Sequence, residues 1–347
     1  MKASTKRFLN YGFILLTLFI VLYIGISGNE LSGLWDAMTS VSPLWLLVCF
    51  LLVALFTCLD AMTVFLILRP QGYKVSFRSM LFITIIGMYY SNLTPSASGG
   101  QPMQVYYMKK RDVPIGIGSS ALTVKFFCFQ FMLMIIGTIF WLVNKEYIFM
   151  VLNNQMWILV LGYIFNSISV TFVVMLAISR RMVRLLIIIF IKIGTLLHIC
   201  KDPKTARARW EKNLSAFHTS IIFMLKHPRE LIIQLAISSV QVIVWAFIPT
   251  AVYYAFGMTG IRITELVTIA ILLYISASYT PLPGGSGAQE GFFAIYFAHA
   301  FPQNTLFVAL LIWRFFTFYL SLIAGAILTI FSVKKQKEPR PKNEDLE

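Results

Sequence analysis

The sequence predicts an all-α, polytopic transmembrane protein whose bundle carries two re-entrant, broken helical hairpins in inverted orientation. Three observations predict it: apolar runs of membrane-crossing length, cationic residues gathered on one side, and a Pro/Gly motif that occurs twice within apolar surroundings.

Of the 347 residues, 58% are hydrophobic and 12% are charged, about half the charged share of an ordinary soluble domain. A helix needs roughly 20 apolar residues to cross the hydrocarbon layer. Lipid offers the backbone no hydrogen-bond partner, so such runs must be helical. Spanning candidates are Phe8–Ser27, Leu44–Leu68, Ser119–Val143, Met156–Ile178, Leu231–Tyr254 and Leu306–Phe331. Phe8–Ser27 is too long for a signal-peptide core and lacks a small-residue cleavage site, so it reads as a first membrane helix. Two further apolar stretches, about 77–108 and 263–298, are interrupted by Pro and Gly.

The net charge of +15 is unevenly placed. Lys and Arg cluster at the N-terminus, around the first interrupted stretch, in Arg180–Arg229 and in the tail after Phe331, which together hold 25 of the 29. The segments Gly28–Pro43, Asn144–Gln155, Gly257–Arg262 and Phe301–Thr305 hold only Lys145 and Arg262. Cytoplasmic loops carry the excess of Lys and Arg. All 25 fall on one side only if each interrupted stretch enters and leaves on the same face. That gives six spans, two hairpins and both termini in the cytoplasm of a bacterial-type cell membrane. Within Arg180–Arg229, Leu185–Leu197 reads as an interfacial helix or an inward extension of the preceding span. Such a distribution argues for anionic lipid headgroups rather than nucleic acid.

The hairpins carry the strongest signal. One contains Thr94-Pro95-Ser96-Ala97-Ser98-Gly99-Gly100-Gln101, the other Thr280-Pro281-Leu282-Pro283-Gly284-Gly285-Ser286-Gly287. Each pairs a Thr-Pro with a following Gly-Gly, is preceded by a span, and is followed by a span with one cation, Lys125 or Arg314. Proline breaks a helix, and glycine admits backbone geometries closed to other residues. Inverted repeats with broken helices mark transporters. The expectation is that the hairpins offer free N–H groups to a polar ligand.

Four ionisable residues fall inside apolar stretches: Asp60, Lys125, Glu290 and Arg314. A charge at mid-bilayer costs about 2.5–3.5 kcal/mol on insertion scales, so such residues face a protein interior or a cavity. Asp60 and Lys125 lie near enough to the ends of their runs that snorkelling to the interface is an alternative. Arg314 and Glu290 lie on adjacent elements and are expected to touch. Cys49, Cys58, Cys128 and Cys200 have no metal-ligand spacing and read as small apolar residues. Neither a metal nor a cofactor is expected, and no motif of a soluble catalytic site is present.

The segments Asn92–Pro102 and Pro281-Leu282-Pro283-Gly284-Gly285-Ser286-Gly287-Ala288-Gln289-Glu290-Gly291 resemble the signature of the lysylphosphatidylglycerol synthase/flippase membrane-domain family. The resemblance spans about residues 8–333 and leaves 334–347 as a polar cytoplasmic tail. Gln104 stands where the family often has Arg, and the helix after the first hairpin carries Lys125 without an acidic neighbour. The resemblance implies translocation of lysyl-phosphatidylglycerol, or a related anionic lipid, to the outer leaflet, with resistance to cationic antimicrobial peptides as the consequence. It also implies a partner: the family's lysyltransferase activity resides in a soluble aminoacyltransferase domain, expected here on a separate chain if at all. Some relatives suggest an accessory carrier for polyprenyl-linked sugars instead. Phospholipid is the expected partner, and oligomerisation stays open. On this reading Arg314 and Lys125 meet the phosphate, Glu290 or Asp60 meets a lysyl ammonium, and Gln101 and Gln289 line the site. Thr94, Pro95, Gly99, Gly100, Pro281, Pro283, Gly284, Gly285 and Gly287 shape the hairpin backbones.

The charge asymmetry makes one prediction directly. Single cysteines placed at Lys110 and Arg207 should be shielded from impermeant thiol reagents in intact cells, and those at Asp36 and Asn304 should react. External labelling at 110 or 207 contradicts the two-hairpin topology.

Overall fold

The computed structural model describes residues 39–182, 203–278 and 282–337, with 184, 185, 188 and 280. Phe8–Ser27, Pro281, most of Leu185–Leu197 and 338–347 lie outside the described residues. Every regular element among them is helical.

The first span among the described residues is α1, Pro43–Leu68. Then α2 (Phe77–Leu93), a 3₁₀ turn at Pro95–Ala97 and α3 (Gly100–Lys109) form the first hairpin. α4 follows over Ile115–Val143. A short α5, Lys145–Leu152, lies where a plain loop is expected, because Ile148, Val151 and Leu152 bury into the core. α6 covers Met156–Ile178 and α7 covers Pro203–Lys226. α8 (Pro228–Ala255) leads to the second hairpin: α9 (Ile263–Ala277), a 3₁₀ turn at Pro283–Gly285 and α10 (Ala288–Phe297). The last span begins as α11, Gln303–Arg314, loosens into a π-helical turn at Phe315–Tyr319, and continues as α12, Leu320–Lys337. α12 thus extends into the stretch expected to begin the polar tail.

Among the described residues five stretches are long and apolar enough to cross a membrane: Pro43–Leu68, Ile115–Val143, Lys145–Ile178, Pro228–Ala255 and Thr305–Ile330. Five of the six expected spans therefore have a helix of the required kind. α3 and α10 have ten residues each, about 15 Å of helix, too short to cross. Each folds back on its partner helix, and the two hairpin tips touch one another.

The repeat is closer than the Thr-Pro motif suggests, and its register differs. Ala97 and Ser98 donate N–H bonds to the carbonyls of Thr94 and Pro95, and Met103 donates to Gly99. Gly285, Ser286 and Gly291 do the same to Leu282, Pro283 and Gly287, each 188 residues on. The matching left-handed residues are Ser96 and Ala97 (φ 51° and 54°) and Gly284 and Gly285 (φ 61° and 66°). Gly284-Gly285 therefore corresponds to Ser96-Ala97, not to Gly99-Gly100, and Gln289 corresponds to Gln101. α3 and α10 begin and end 188 residues apart, and so do the starts of α4 and α11.

Two apolar cores form at opposite ends of the long helices. One gathers Ala61–Leu68 of α1, α2, α3, residues 117–128 of α4 and Ile221 and Met224 of α7. The other gathers Cys49, Leu133, α5, and the buried faces of α8, α9, α10 and α11. Between them α1, α4 and α8 carry a polar waist. Close helix approach is built in by small residues. At Gly162 a Cβ would come within 2.8 Å of the Ile275 carbonyl oxygen, and Asn166, one turn later, donates to that same carbonyl at 3.0 Å.

The segment 180–229 holds a feature that composition hides. α7 is basic overall, yet Leu214, His218, Ser220, Ile221 and Met224 are buried, and Ser120 donates to Ser220 at 2.5 Å. It is a helix packed on α4, outside the spanning set. Burial and the nearby Arg180 hold the His218 imidazole below the usual histidine range.

Candidate functional site: a polar cavity between two hairpins

A cavity of about 320 Å³ opens among α1, α2, α3, α4, α8 and the π turn. A second chamber of about 250 Å³ lies against the hairpin tips and α9. Asn92, Phe129 and Trp245 line both, so the chambers adjoin. The first is walled by aromatic rings (Phe56, Phe126, Phe129, Trp245, Phe316) and by uncharged polar groups (Thr57, Ser91, Asn92, Gln101, Gln104, Thr317, Ser321). Asp60 and Lys125 supply its charges.

Asp60 and Lys125 do not snorkel. Lys125 Nζ sits 2.7 Å from Asp60 Oδ2, and both side chains stay slightly exposed, at 16% and 13%. The helix bearing Lys125 starts at Ile115 rather than Ser119, which places the lysine about 15 Å along α4 and too deep to reach its end. Gln241 of α8 approaches the other carboxylate oxygen, Oδ1, at 3.5 Å.

Arg314 is different. Its guanidinium is 4% exposed, with Nε 2.6 Å from Glu290 Oε1. It donates from NH1 to Gln289 Oε1 at 2.7 Å and from NH2 to the Gly284 carbonyl at 3.3 Å and to Ser286 Oγ at 3.4 Å. Phe318 lies across its face, 4.6 Å from the ring centroid. The expected contact with Glu290 is present. The cation is spent on the second tip itself, and it closes a loop whose α9 end stops short of the turn. The π turn that follows re-aims Phe316 and Thr317 into the cavity and Phe318 onto the arginine. A single π turn inside an α-helix often marks a functional site. Gly284 is required twice: φ is 61° there, and a Cβ would overlap the Phe318 ring.

The first tip lacks an arginine. At the 188-residue register Phe126 stands where Arg314 does, and Pro102 where Glu290 does. Thr94 takes over, accepting the Gly99 N–H at 2.8 Å and donating to the Tyr90 carbonyl at 2.7 Å. Gly100 serves close packing, since a Cβ there would overlap the Ser91 hydroxyl.

The expectation of free hairpin N–H groups is not met at Ala97, Ser98, Gly99, Gly285, Ser286 or Gly287. Each of these donates within its own tip. What the cavity offers instead is side chains: the Lys125 ammonium, the Asp60 carboxylate, and the amides of Gln101, Gln104, Asn92 and Gln289. Sequence reasoning noted Gln104 only as a departure from the family's Arg and gave no role to Asn92, Gln241, Trp245 or the Gln130–Asn166 pair (2.7 Å). Their signal, polar residues inside apolar helices, is weak one residue at a time. Among the described residues no group of His, Cys, Asp and Glu could hold a metal ion.

This arrangement defines an all-helical integral membrane protein with paired broken hairpins closing a polar interior. The chain belongs to the family described as "Lysylphosphatidylglycerol synthase TM region", which it matches over residues 11–325. It is 26% identical over 323 residues to a "UPF0104 membrane protein" of Archaeoglobus fulgidus, covering 87% of this chain and 91% of that one. It is 25% identical over 284 residues to a protein of the same description from Methanothermobacter thermautotrophicus, covering 76% and 78%.

The geometry of Arg314 predicts a specific energetic pattern. Arg314→Met leaves the partly enclosed Glu290 carboxylate without its cation and should cost about 1–3 kcal/mol, read as a lower melting temperature in detergent. Adding Glu290→Gln should recover part of that loss. An unchanged melting temperature in Arg314→Met would remove the pair as the anchor of the second hairpin.

Proposed function

We propose that this protein carries a phosphate-bearing lipid headgroup, that of aminoacylated phosphatidylglycerol or a close relative, across the membrane, and that the two chambers between the hairpins are its path. One observation carries the reading. The Asp60–Lys125 pair sits within the bundle, slightly exposed, on the wall of a cavity otherwise lined by aromatic rings and neutral amides. Burying an ion pair completely costs desolvation that packing does not return, and partial access leaves each partner able to meet another charge. This one faces a space large enough for a headgroup, and its lysine can exchange a carboxylate for a phosphate.

In this reading the phosphate meets Lys125, and the amides of Gln101, Gln104 and Asn92 take the remaining oxygens. An aminoacyl ammonium meets amide oxygens and the aromatic faces of Trp245 and Phe129 on the same wall, and Asp60 is the counter-ion of Lys125 while the cavity holds no cargo. Arg314 and Glu290 act indirectly, by fixing the second tip and holding Gln289 at the other chamber. The acyl chains stay in lipid. In this reading the hairpins enter and leave on one face each, the first from the cytoplasm and the second from outside, and their touching tips flank the second chamber. Delivery of aminoacylated lipid to the outer leaflet would make the surface less anionic and weaken attack by cationic peptides. A separate aminoacyltransferase chain would supply the cargo.

The lining favours one second reading. Neutral amides and hydroxyls beside Trp245 and several Phe rings also suit a polyhydroxylated headgroup, so a glycosylated lipid carrier is the alternative cargo.

Proteoliposomes containing fluorescent phosphatidylglycerol, with the outer leaflet quenched chemically, test the proposal. The protein should accelerate exchange between leaflets over empty vesicles. Lys125→Met should slow it at least about tenfold, a loss of about 1.4 kcal/mol of barrier lowering, while Lys125→Arg keeps part of the rate. Wild-type exchange no faster than in empty vesicles, or an unimpaired Lys125→Met, contradicts it.

A further inference from the structure

Along α8 three polar residues lie on one face: Gln234, Ser238 and Gln241, at i, i+4 and i+7. Their exposures are 0%, 0% and 1%. Both amide atoms of Gln234, the Ser238 hydroxyl and the Gln241 amide oxygen are buried and find no hydrogen-bond partner among the described residues. A buried polar group left unpaired costs about 1–3 kcal/mol. Four such atoms on one stripe of an otherwise apolar helix are too many to be incidental. Buried water is the usual partner of such groups, each molecule holding about three hydrogen bonds.

The stripe also has a direction. Gln234 lies in the second turn of α8, near the end where α7 hands over to it. Gln241 reaches Asp60 Oδ1. Trp245, one turn beyond Gln241, lines both chambers. The polar face spans about 10 Å from 234 to 241 and runs from the end that the charge asymmetry places at the cytoplasm to the ion pair in the cavity.

We propose that this stripe is a water-filled thread that carries protons to Asp60, so that headgroup movement is coupled to protonation. The step balances simply. A proton from the aqueous end passes along the thread and binds Asp60, whose carboxylate becomes a neutral carboxyl. Lys125 keeps its own proton and loses its counter-ion. Its ammonium then accepts the phosphate of the cargo, and loss of the proton from Asp60 restores the pair and expels the anion. This rests on the proposed function, which supplies the anion that Lys125 receives.

Among the described residues no other charge pairs with Asp60. The charged side chains on the elements packed against α1 are Arg78 at the start of α2, Lys125 on α4, Arg229 and Glu230 at the start of α8, and Arg314 just before the π turn. Of these Lys125 alone pairs with Asp60. His218, the other buried titratable group nearby in sequence to α8, has Ala177 and Arg180 as its neighbours.

Two measurements on the full chain separate the thread from the transport reading. The first needs no cargo. With the four native cysteines replaced by alanine, Ser238→Cys should react with a small water-soluble thiol reagent at least about tenfold faster than Ala246→Cys, two turns away in the apolar core, because thiol reactivity follows aqueous access. Equal and slow reaction at both positions overturns the thread. The second follows fluorescent phosphatidylglycerol exchange in proteoliposomes as pH is varied. Wild type should show a pH-dependent rate, and Asp60→Asn should flatten the profile. Gln234→Leu, which keeps a side chain of similar size and interrupts the stripe, should cut the rate at least about fivefold in a protein whose melting temperature is not lowered. A wild-type rate that ignores pH, or an unchanged rate in Gln234→Leu, overturns the coupling. Wild-type exchange equal to that of empty vesicles overturns the transport reading and, with it, the coupling, while the labelling result still decides the thread.

Discussion

A helix broken inside a membrane protein exposes backbone groups that lipid cannot satisfy, and the architecture of this chain follows from answering that constraint twice. The tips at Pro95–Ala97 and Pro283–Gly285 turn with the same pair of backbone bonds. Each then needs one side chain to hold the returning helix. Thr94 does this for the first tip with a hydroxyl that both donates and accepts. Arg314 does it for the second with a planar fork that reaches a carbonyl, a hydroxyl, an amide and a carboxylate at once. The fork geometry is the property that lysine lacks. The tips then pack on each other, and the space beside them becomes the cavity.

The two apolar cores explain why that space persists. Each hairpin is seated in its own cluster, one at either end of α1, α4 and α8. The long helices must pass from one core to the other, and the stretch between carries Asp60, Lys125, Gln130 and Gln241. Polar residues there cannot be satisfied by either core, so they satisfy one another across helices: Lys125 with Asp60, Gln130 with Asn166. The π turn after Arg314 belongs to the same region, since it lets one short stretch serve the hairpin with Phe318 and the cavity with Phe316 and Thr317.

Much of this is legible in the sequence. Apolar run length is a direct consequence of bilayer thickness, and it located five of the described spans within a few residues. The pairing of Arg314 with Glu290 followed from adjacency. The pairing of Lys125 with Asp60 did not, because their contact joins residues 65 positions apart on α1 and α4, and linear distance to a run's end suggested an interface. The repeat was visible through Thr-Pro and Gly-Gly, yet the true register equates Ser96-Ala97 with Gly284-Gly285. Backbone conformation, not residue type, is what the two tips share: left-handed φ is easy for glycine and merely costly for serine and alanine. α7 escaped notice because its basic residues mask an apolar face. The stripe Gln234, Ser238 and Gln241 was readable at helical spacing, but only burial shows that it faces inward.

On the proposed mechanism a phosphate-bearing headgroup enters the cavity and is met by Lys125. The most direct measurement is a cryo-electron microscopy structure of the protein in nanodiscs of phosphatidylglycerol. The account predicts a phosphate density within hydrogen-bond distance of Lys125 Nζ, with Asp60 moved off the lysine and the Arg314–Glu290 pair intact. Lipid density confined to the outer faces of the spanning helices, with the cavity free of it and the Asp60–Lys125 pair closed, would contradict the account.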